Sequence, residues 1–420
     1  MFWWNSTPMA GVPPQTRQRS GPVASLAHAP VAAAGEVVGG GSSVGAAGAG
    51  GGSIGLLGGG VSGGPSVTPA EPRGARLRRS PTAILPYAVT ARALRCRNMD
   101  GVSLRPASAT DLPAICALVN RSEAHDGVPR LLTLDELTEE LDGVHIRFDD
   151  DVRVAEADGE LVGHIFARYL PSEVREERCY LRGTVDPTFR GRGVGRALVM
   201  WGVDRATRLL RSSGRDLPQF IRVDAYDFVD SAHRLFARQG FAPVRVFEEL
   251  LRSIDELLEV PTIDGVRIIA WPDESAGRDD EIRVQKNLAF ADHWGSTPTQ
   301  PHDWAHQVRG AGARPDLSLV ALDDDDRVVA HCLNHRYEAD DAVVGRSDGW
   351  IGSLGTSPGW RGRGLGSALI AASLRAFAGA GLTHASIGVD SDSLTGAARL
   401  YRNLGFELRQ RAITHQIEVS

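Results

Sequence analysis

The stretch Arg190-Gly-Arg-Gly-Val-Gly-Arg-Ala-Leu198 returns 171 residues later as Arg361-Gly-Arg-Gly-Leu-Gly-Ser-Ala-Leu369, with seven identities in nine positions. A second pair, Arg234-Leu-Phe-Ala-Arg-Gln-Gly-Phe241 and Arg399-Leu-Tyr-Arg-Asn-Leu-Gly-Phe406, is offset by 165. Recurrence at a nearly fixed spacing marks a repeated structural unit, and a chain of 420 residues has room for two or three domains. The expected organisation is an N-terminal segment, residues 1–98, followed by two homologous domains, residues 99–260 and 261–420, joined near residues 261–264.

Apolar periodicity repeats with the motifs. Opening strands are expected at 102–106 and 266–270, each followed by two amphipathic helices: 111–122 and 134–141 in the first copy, 281–292 and 302–308 in the second. Strand pairs follow at 152–156 with 161–169 and at 317–322 with 328–337, bent at acidic or glycine turns. A third strand, 179–185 or 350–356, runs into the glycine-rich motif, after which the period turns helical. Strands at 221–225 and 385–390, short helices carrying Phe236 or Tyr401, and strands after Phe241 and Phe406 complete the copies.

Residues 1–98 have another character. Fifteen glycines fall between residues 35 and 64, and residues 37–70 carry no charge. Glycine, alanine and serine with few large apolar side chains neither form a membrane span nor bury enough surface to offset chain entropy, so this segment is expected to be disordered. The first fifteen residues lack the basic and apolar regions of a signal peptide. Met99 abuts the first strand and is a candidate start of translation.

Charge divides with the composition. Residues 1–98 hold nine Arg against Glu36 and Glu71, about +7, and the remainder carries −13. An acidic folded part argues against nucleic acid as a partner, since phosphate neutralisation needs clustered basic residues, and favours a cationic or amine ligand. Four scattered cysteines with no CxxC pair indicate neither a disulfide framework nor a zinc site, which makes a reducing cytoplasm the expected compartment. Oligomeric state is open, a monomer being compatible with two fused copies.

The chemistry sits in the repeated motif. A strand ending at Pro187 or Pro358 and a helix opened by Arg-x-x-Gly-x-Gly point several backbone N–H groups and a helix's positive end at one spot, an anion site. Gly191, Gly193 and Gly195, like Gly362, Gly364 and Gly366, remove side chains that would hold a diphosphate away, and Arg190 or Arg361 can add charge. The alternative is a tight strand-to-helix turn with no ligand. A dinucleotide-binding GxGxxG register does not fit, and no Gly-Lys-Ser/Thr of a P-loop is present.

These residues resemble the GNAT superfamily of N-acetyltransferases, whose diphosphate loop reads Arg/Gln-x-x-Gly-x-Gly/Ala at the head of the central helix. Leu400-Tyr401 with Gly405-Phe406 is similar to that family's closing motif, and the resemblance spans residues 99–420. Tandem copies are similar to actinobacterial double acetyltransferases, the mycothiol synthase subgroup among them. The resemblance implies an α/β fold in which each copy is a mixed central sheet flanked by helices. It implies acetyl-CoA as cosubstrate, lying where two parallel strands splay apart, and a primary amine that attacks the thioester directly with no metal required. Cofactor contacts carried over are Leu354, Thr356, Arg361, Gly362, Arg363, Gly364, Leu365, Gly366 and Ser367 in the second copy, and Val185, Arg190, Gly191, Arg192, Gly193, Val194, Gly195 and Arg196 in the first.

The family's closing helix commonly places a tyrosine near the thioester sulfur. The second copy has Tyr401 and the first has Phe236. A phenol donates a proton and a phenyl ring does not, so catalysis is assigned to the second domain and the first is expected to be degenerate. The alternative for Tyr401 is a core residue beside Leu400. Many relatives carry a strand glutamate as general base, and Trp350-Ile-Gly-Ser-Leu-Gly-Thr356 has none. Substitutes are Glu338, Asp348, Asp390, Asp392 and His335, with Asp390 the best placed, while Glu338, Asp340 and Asp341 read best as a solvated hairpin turn. His293 and Trp294 lie in the loop that covers acceptors in this family, although Trp294 is equally readable as a core plug. The leading function is acetyl transfer to a small-molecule amine. A sharper variant is acetylation of a cysteinyl-glucosaminyl-inositol amine, and the rival is a coenzyme-sensing module without turnover.

Overall fold

The computed structural model describes residues 101–419 except 142–144, 272–276 and 394–395. The expectations for residues 1–98 and for Met99 lie outside the described residues. The first repeat runs β1 (Val102–Pro106), α1 (Leu112–Asp126), α2 (Leu134–Leu141), α3 (Phe148–Asp151), β2 (Val152–Ala157), β3 (Glu160–Leu170), β4 (Glu177–Val185), α4 (Val194–Ser212), β5 (Gln219–Tyr226), α5 (Asp230–Arg238) and β6 (Ala242–Ser253). The second runs β7 (Val266–Ala270), α6 (Asp279–Ala289), α7 (Pro301–Arg309), β8 (Leu319–Asp323), β9 (Val328–Arg336), α8 (Asp341–Val344), β10 (Asp348–Thr356), α9 (Leu365–Gly379), β11 (His384–Asp390), α10 (Ala397–Asn403) and β12 (Glu407–Glu418).

All twelve strands form one sheet in the order β1-β2-β3-β4-β5-β12-β6-β11-β10-β9-β8-β7. The closing strands have crossed over. β12, from the end of the second repeat, pairs with β5 of the first (Thr414 opposite Asp224), and β6, from the end of the first, pairs with β11 of the second (Glu249 opposite Gly388). The two exchanged strands pair with each other at the centre. Each repeat's sheet therefore ends on a strand supplied by the other, and no free edge remains between them.

Helices cover both faces. One face carries α4 with α5 and α9 with α10, whose apolar stripes build the two largest cores: Val194, Leu198 and Leu210 with Ile221 in one, and Leu365, Leu369 and Phe377 with Ile351, Ile387 and Val389 in the other. α1 and α2, and α6 and α7, pack on the opposite face through Ile115 and Leu137 and through Ile282 and Trp304. Fit is tight where helix meets strand: a Cβ built on Gly349 would lie 2.5 Å from the Phe377 ring, so β10 needs glycine there. Full burial of Phe377 stabilises by about 2–3 kcal/mol.

Two short elements depart from the sequence reading. Residues 338–344 are not a solvated hairpin turn but a 3₁₀ turn leading into α8. Asp341 pairs with Arg336, and Asp340 accepts a 2.8 Å hydrogen bond from the Leu131 amide of the first repeat. Asp340 is thereby recruited as a strut between repeats, a long-range use that local polarity does not reveal, while Asp341 braces β9 within its own repeat. No helix among the described residues is long and apolar enough to cross a membrane.

Candidate active site

Each glycine-rich turn is held by backbone conformation. Gly191 and Gly193 have φ of 77° and 90°, and Gly362 and Gly364 have 76° and 87°, a region that side-chain-bearing residues rarely occupy. Gly193 and Gly364 are the N-caps of α4 and α9 and have no capping side chain, which leaves the first-turn N–H groups to other acceptors. Gly195 and Gly366 serve packing instead: a Cβ on them would lie 3.1 Å from Leu235 and 3.3 Å from Leu400, so they let α5 and α10 approach.

Arg190 and Arg361 turn back into the protein. Arg190 makes 2.6 and 2.8 Å bonds to Asp126 and a 2.6 Å bond to Ser122, and its Nε reaches the Val185 carbonyl. Arg361 likewise bonds Asp292, the Ala289 carbonyl and the Thr356 carbonyl. Burial pushes the Asp126 carboxyl up, but the hydrogen bonds and charges of Arg190 and His125 together outweigh it and the net shift is down. Asp292 is lowered chiefly by its hydrogen bond from Arg361. These arginines moor the turn to the C-terminal ends of α1 and α6, where each already faces a carboxylate. Arg192 and Arg363 stack 4.8 and 4.6 Å from the rings of Phe189 and Trp360.

Beside each turn the parallel strands part. The β4–β5 ladder runs from Glu177 opposite Gln219 to Tyr180 opposite Arg222 and stops, while both strands continue. The β10–β11 ladder stops at Ile351 opposite Ile387. In the second repeat the parting coincides with a bulge against β9 between Ile351 and Ser353, whereas the β3–β4 register is regular. The bulge turns Gly352 and Ser353 to the same face, where Ser353 bonds His331 at 2.8 Å and a Cβ on Gly352 would collide with His335.

The first opening leads into a cavity of about 1280 Å³, lined by Val185, residues 190–193, Gly195 and Arg196 together with Glu140, Arg182, Asp224 and, from the exchanged strand, Ala412. That volume exceeds the roughly 300–1,000 Å³ of ordinary ligand pockets. Its wall is charged: Arg182 pairs with Glu140 at 2.6 Å, and Asp224 accepts a 2.5 Å bond from Thr414. Burial pushes the Asp224 carboxyl up, against the lowering effect of Thr414. Phe236 lines this cavity with its ring near His415.

In the second repeat Tyr401 is 3% exposed and shares a core cluster with Leu354 and Val389, which lie on the two parting strands. Its hydroxyl has no hydrogen-bond partner among the described residues, and burial pushes its pKa up, keeping the proton on. On the opposite face, Asp390 is paired by Arg245 of β6 at 2.8 Å, and its other oxygen accepts the Asp392 amide at 3.0 Å. Trp294 lies between two guanidinium groups, Arg222 at 4.1 Å and Arg245 at 5.5 Å, with Phe247 beside it. His293 packs edge-on to Phe290; burial pushes its pKa down, partly offset by Asp292 and Asp390. Asp390, His293 and Trp294 are thus brought together, whereas Tyr401 stands on the other face of the sheet. Arg245 and Phe247 were not identified from sequence, since strand exchange alone delivers them from the first repeat.

Buried histidines give the fold a pH signature. Burial pushes His164 and His335 down to about 4 and His331 to about 3, with Lys286 adding to the effect on His331. Unfolded, each titrates near 6.5, so between about pH 6.5 and 4 the unfolded chain binds more protons. Stability is complete above that window and falls by about 1.4 kcal/mol per pH unit per histidine as pH drops through it. Melting temperatures measured from pH 7.5 to 5 are expected to hold above about pH 6.5 and decline below it; a flat profile would contradict these burials.

Helix-headed glycine turns beside parted parallel strands, on a mixed sheet covered on both faces, define an acyl-CoA-dependent acyltransferase architecture. Comparison with known proteins gives the same class. Residues 282–406 match the acetyltransferase (GNAT) family model and residues 149–243 match a second acetyltransferase (GNAT) domain model. The mycothiol acetyltransferase of Frankia alni is 33% identical over 242 residues, covering 55% of this chain and 68% of that protein. That of Acidothermus cellulolyticus is 29% identical, covering 70% and 88%. Among solved structures, a GCN5-related N-acetyltransferase from Sphaerobacter thermophilus superposes with a TM-score of 0.60 at 26% identity over 77% of this chain and 97% of its own. A tandem GNAT protein from the clavulanic acid biosynthesis pathway shares the fold at 18% identity and TM-score 0.55, covering 76% and 99%. The chain belongs to the GNAT acetyltransferase family, with two GNAT domains, and is an acyltransferase that moves an acetyl group to an amine.

Proposed function

We propose that the second repeat carries out transfer from acetyl-CoA to a small-molecule primary amine. The diphosphate sits on the N–H groups at residues 364–367, with Gly362, Arg363 and Gly364 shaping the turn and Leu365, Gly366 and Ser367 opening the helix. The pantetheine arm extends the sheet between β10 and β11 along Leu354 and Thr356. The amine enters from the face holding His293, Trp294 and Asp390, with Asp390 accepting its proton through a water. Tyr401 gives its proton to the departing thiolate. The single observation supporting this reading is Tyr401: a buried phenol that burial keeps protonated, packed with Leu354 and Val389 of the strands that have parted.

The cavity favours a second role for the first repeat. Val185, Arg190, Gly191, Arg192, Gly193, Val194, Gly195 and Arg196 frame a coenzyme there, and Phe236 leaves it without a phenolic acid, so the bound coenzyme is structural.

The relatives' shared name directs the choice of acceptor to the cysteinyl-glucosaminyl-inositol amine that precedes mycothiol. The test is coenzyme release from acetyl-CoA across a panel of amines that includes this one and a cationic peptide. Release is expected with a small amine and greatest with the mycothiol precursor. Binding of acetyl-CoA without release for any amine would replace the enzyme with a sensor.

A further inference from the structure

Away from both parted strands, three donors from the two repeats converge. His145 lies between α2 and α3 of the first repeat, and His302 and Asp303 open α7 of the second, where Pro301 fixes the first helical turn. Asp303 Oδ1 is 3.5 Å from His145 Nε2 and 3.3 Å from His302 Nε2, and the three donor atoms lie within 4.8 Å of one another. Neither approach is a hydrogen bond: Asp303 Oδ1 is buried and has no hydrogen-bond partner. A carboxylate oxygen shut away from water and left unbonded is costly unless a cation meets it.

We infer that His145, His302 and Asp303 bind one divalent ion of the zinc class and that this ion ties the two repeats together. Both Asp303 distances fit: donors about 2.05 Å from a tetrahedral ion stand roughly 3.3 to 3.5 Å from one another. Two imidazoles and one carboxylate are donors that suit zinc and its borderline neighbours and suit calcium or magnesium poorly. The His302 side chain is 47% exposed, which provides an entry path and a fourth position for water. His306, one turn further along α7, lies on the same side of the helix and borders the site. None of the three donors lines the cavity or belongs to the glycine turns, so the ion is structural and takes no part in acetyl transfer.

The test uses the full chain without a histidine tag, stripped by chelator and titrated calorimetrically with Zn²⁺, with Co²⁺ as a spectroscopic probe. One ion per chain with a Kd below about 1 µM is expected, with Co²⁺ bands of four-coordinate intensity. The melting temperature should rise by a few degrees in excess Zn²⁺. His145→Ala, His302→Ala and Asp303→Asn should each weaken binding at least about tenfold and abolish the thermal shift. Binding only at millimolar zinc, or binding that survives His302→Ala and Asp303→Asn, would overturn the site. Wild-type affinity in His145→Ala would overturn the bridge between repeats.

Discussion

Tyr401→Phe is expected to lower kcat for acetyl transfer about 100-fold, the lower end of what a positioned general acid supplies, with the KM for acetyl-CoA changed less than about threefold. Tyr401 is packed among apolar side chains at 3% exposure, and Phe keeps that ring. The hydroxyl that disappears makes no hydrogen bond to a described residue, so its loss breaks none of the contacts that build this core. A fall in melting temperature is therefore not expected, and lost turnover would report lost chemistry. The leaving thiolate must then take its proton from water, and the deficit should shrink as pH falls. Phe236→Leu supplies the contrast: the first repeat has no phenol to lose, and turnover should stay within about twofold. Equal turnover in Tyr401→Phe and wild type would remove Tyr401 from the reaction.

The second large effect concerns folding. Expressed separately, residues 99–260 and 261–420 are each expected to be insoluble or unfolded, and co-expressed they are expected to assemble one to one. β5 and β11 each have a parallel neighbour on one side, and on the other only a strand from the opposite half, β12 or β6. A separated half exposes that edge together with a twelve-residue closing strand that has lost its partners. The interfacial polar pairs are lost as well: Arg245 with Asp390, Thr414 with Asp224 and Arg409 with Glu249. Residues 254–265 form no regular element, so cleavage of the folded chain there should leave an associated complex. Either half unfolding cooperatively as a monomer would contradict the exchange.

Much of this was legible in the residues. The glycines at 191, 193, 362 and 364 announce a backbone that other residues avoid, and the shift from alternating to helical periodicity marks strand, turn and helix without knowledge of distant contacts. α2 falls where its pattern places it, and α6 and α7 start and end within three residues of expectation. The exchange of β6 and β12 left no such mark. Both strands read as ordinary closing strands, and pairing between segments far apart in sequence is decided by the assembled sheet. Side-chain direction was equally hidden. An arginine in the turn motif reads as an anion ligand, yet Arg190 and Arg361 reach back to Asp126 and Asp292, carboxylates that the folded helices α1 and α6 bring within reach. A bulge where the strands part is implied by the family resemblance, but its place at Gly352 is not written in the residue types, since it depends on how β10 meets β9.

The most direct measurement is a crystal structure of the chain with acetyl-CoA. The expected result is a coenzyme between β10 and β11, its diphosphate on the N–H groups at 364–367 and its sulfur within hydrogen-bond distance of the Tyr401 hydroxyl. A coenzyme confined to the first repeat, or a sulfur out of reach of Tyr401, would contradict the assignment of catalysis to the second repeat.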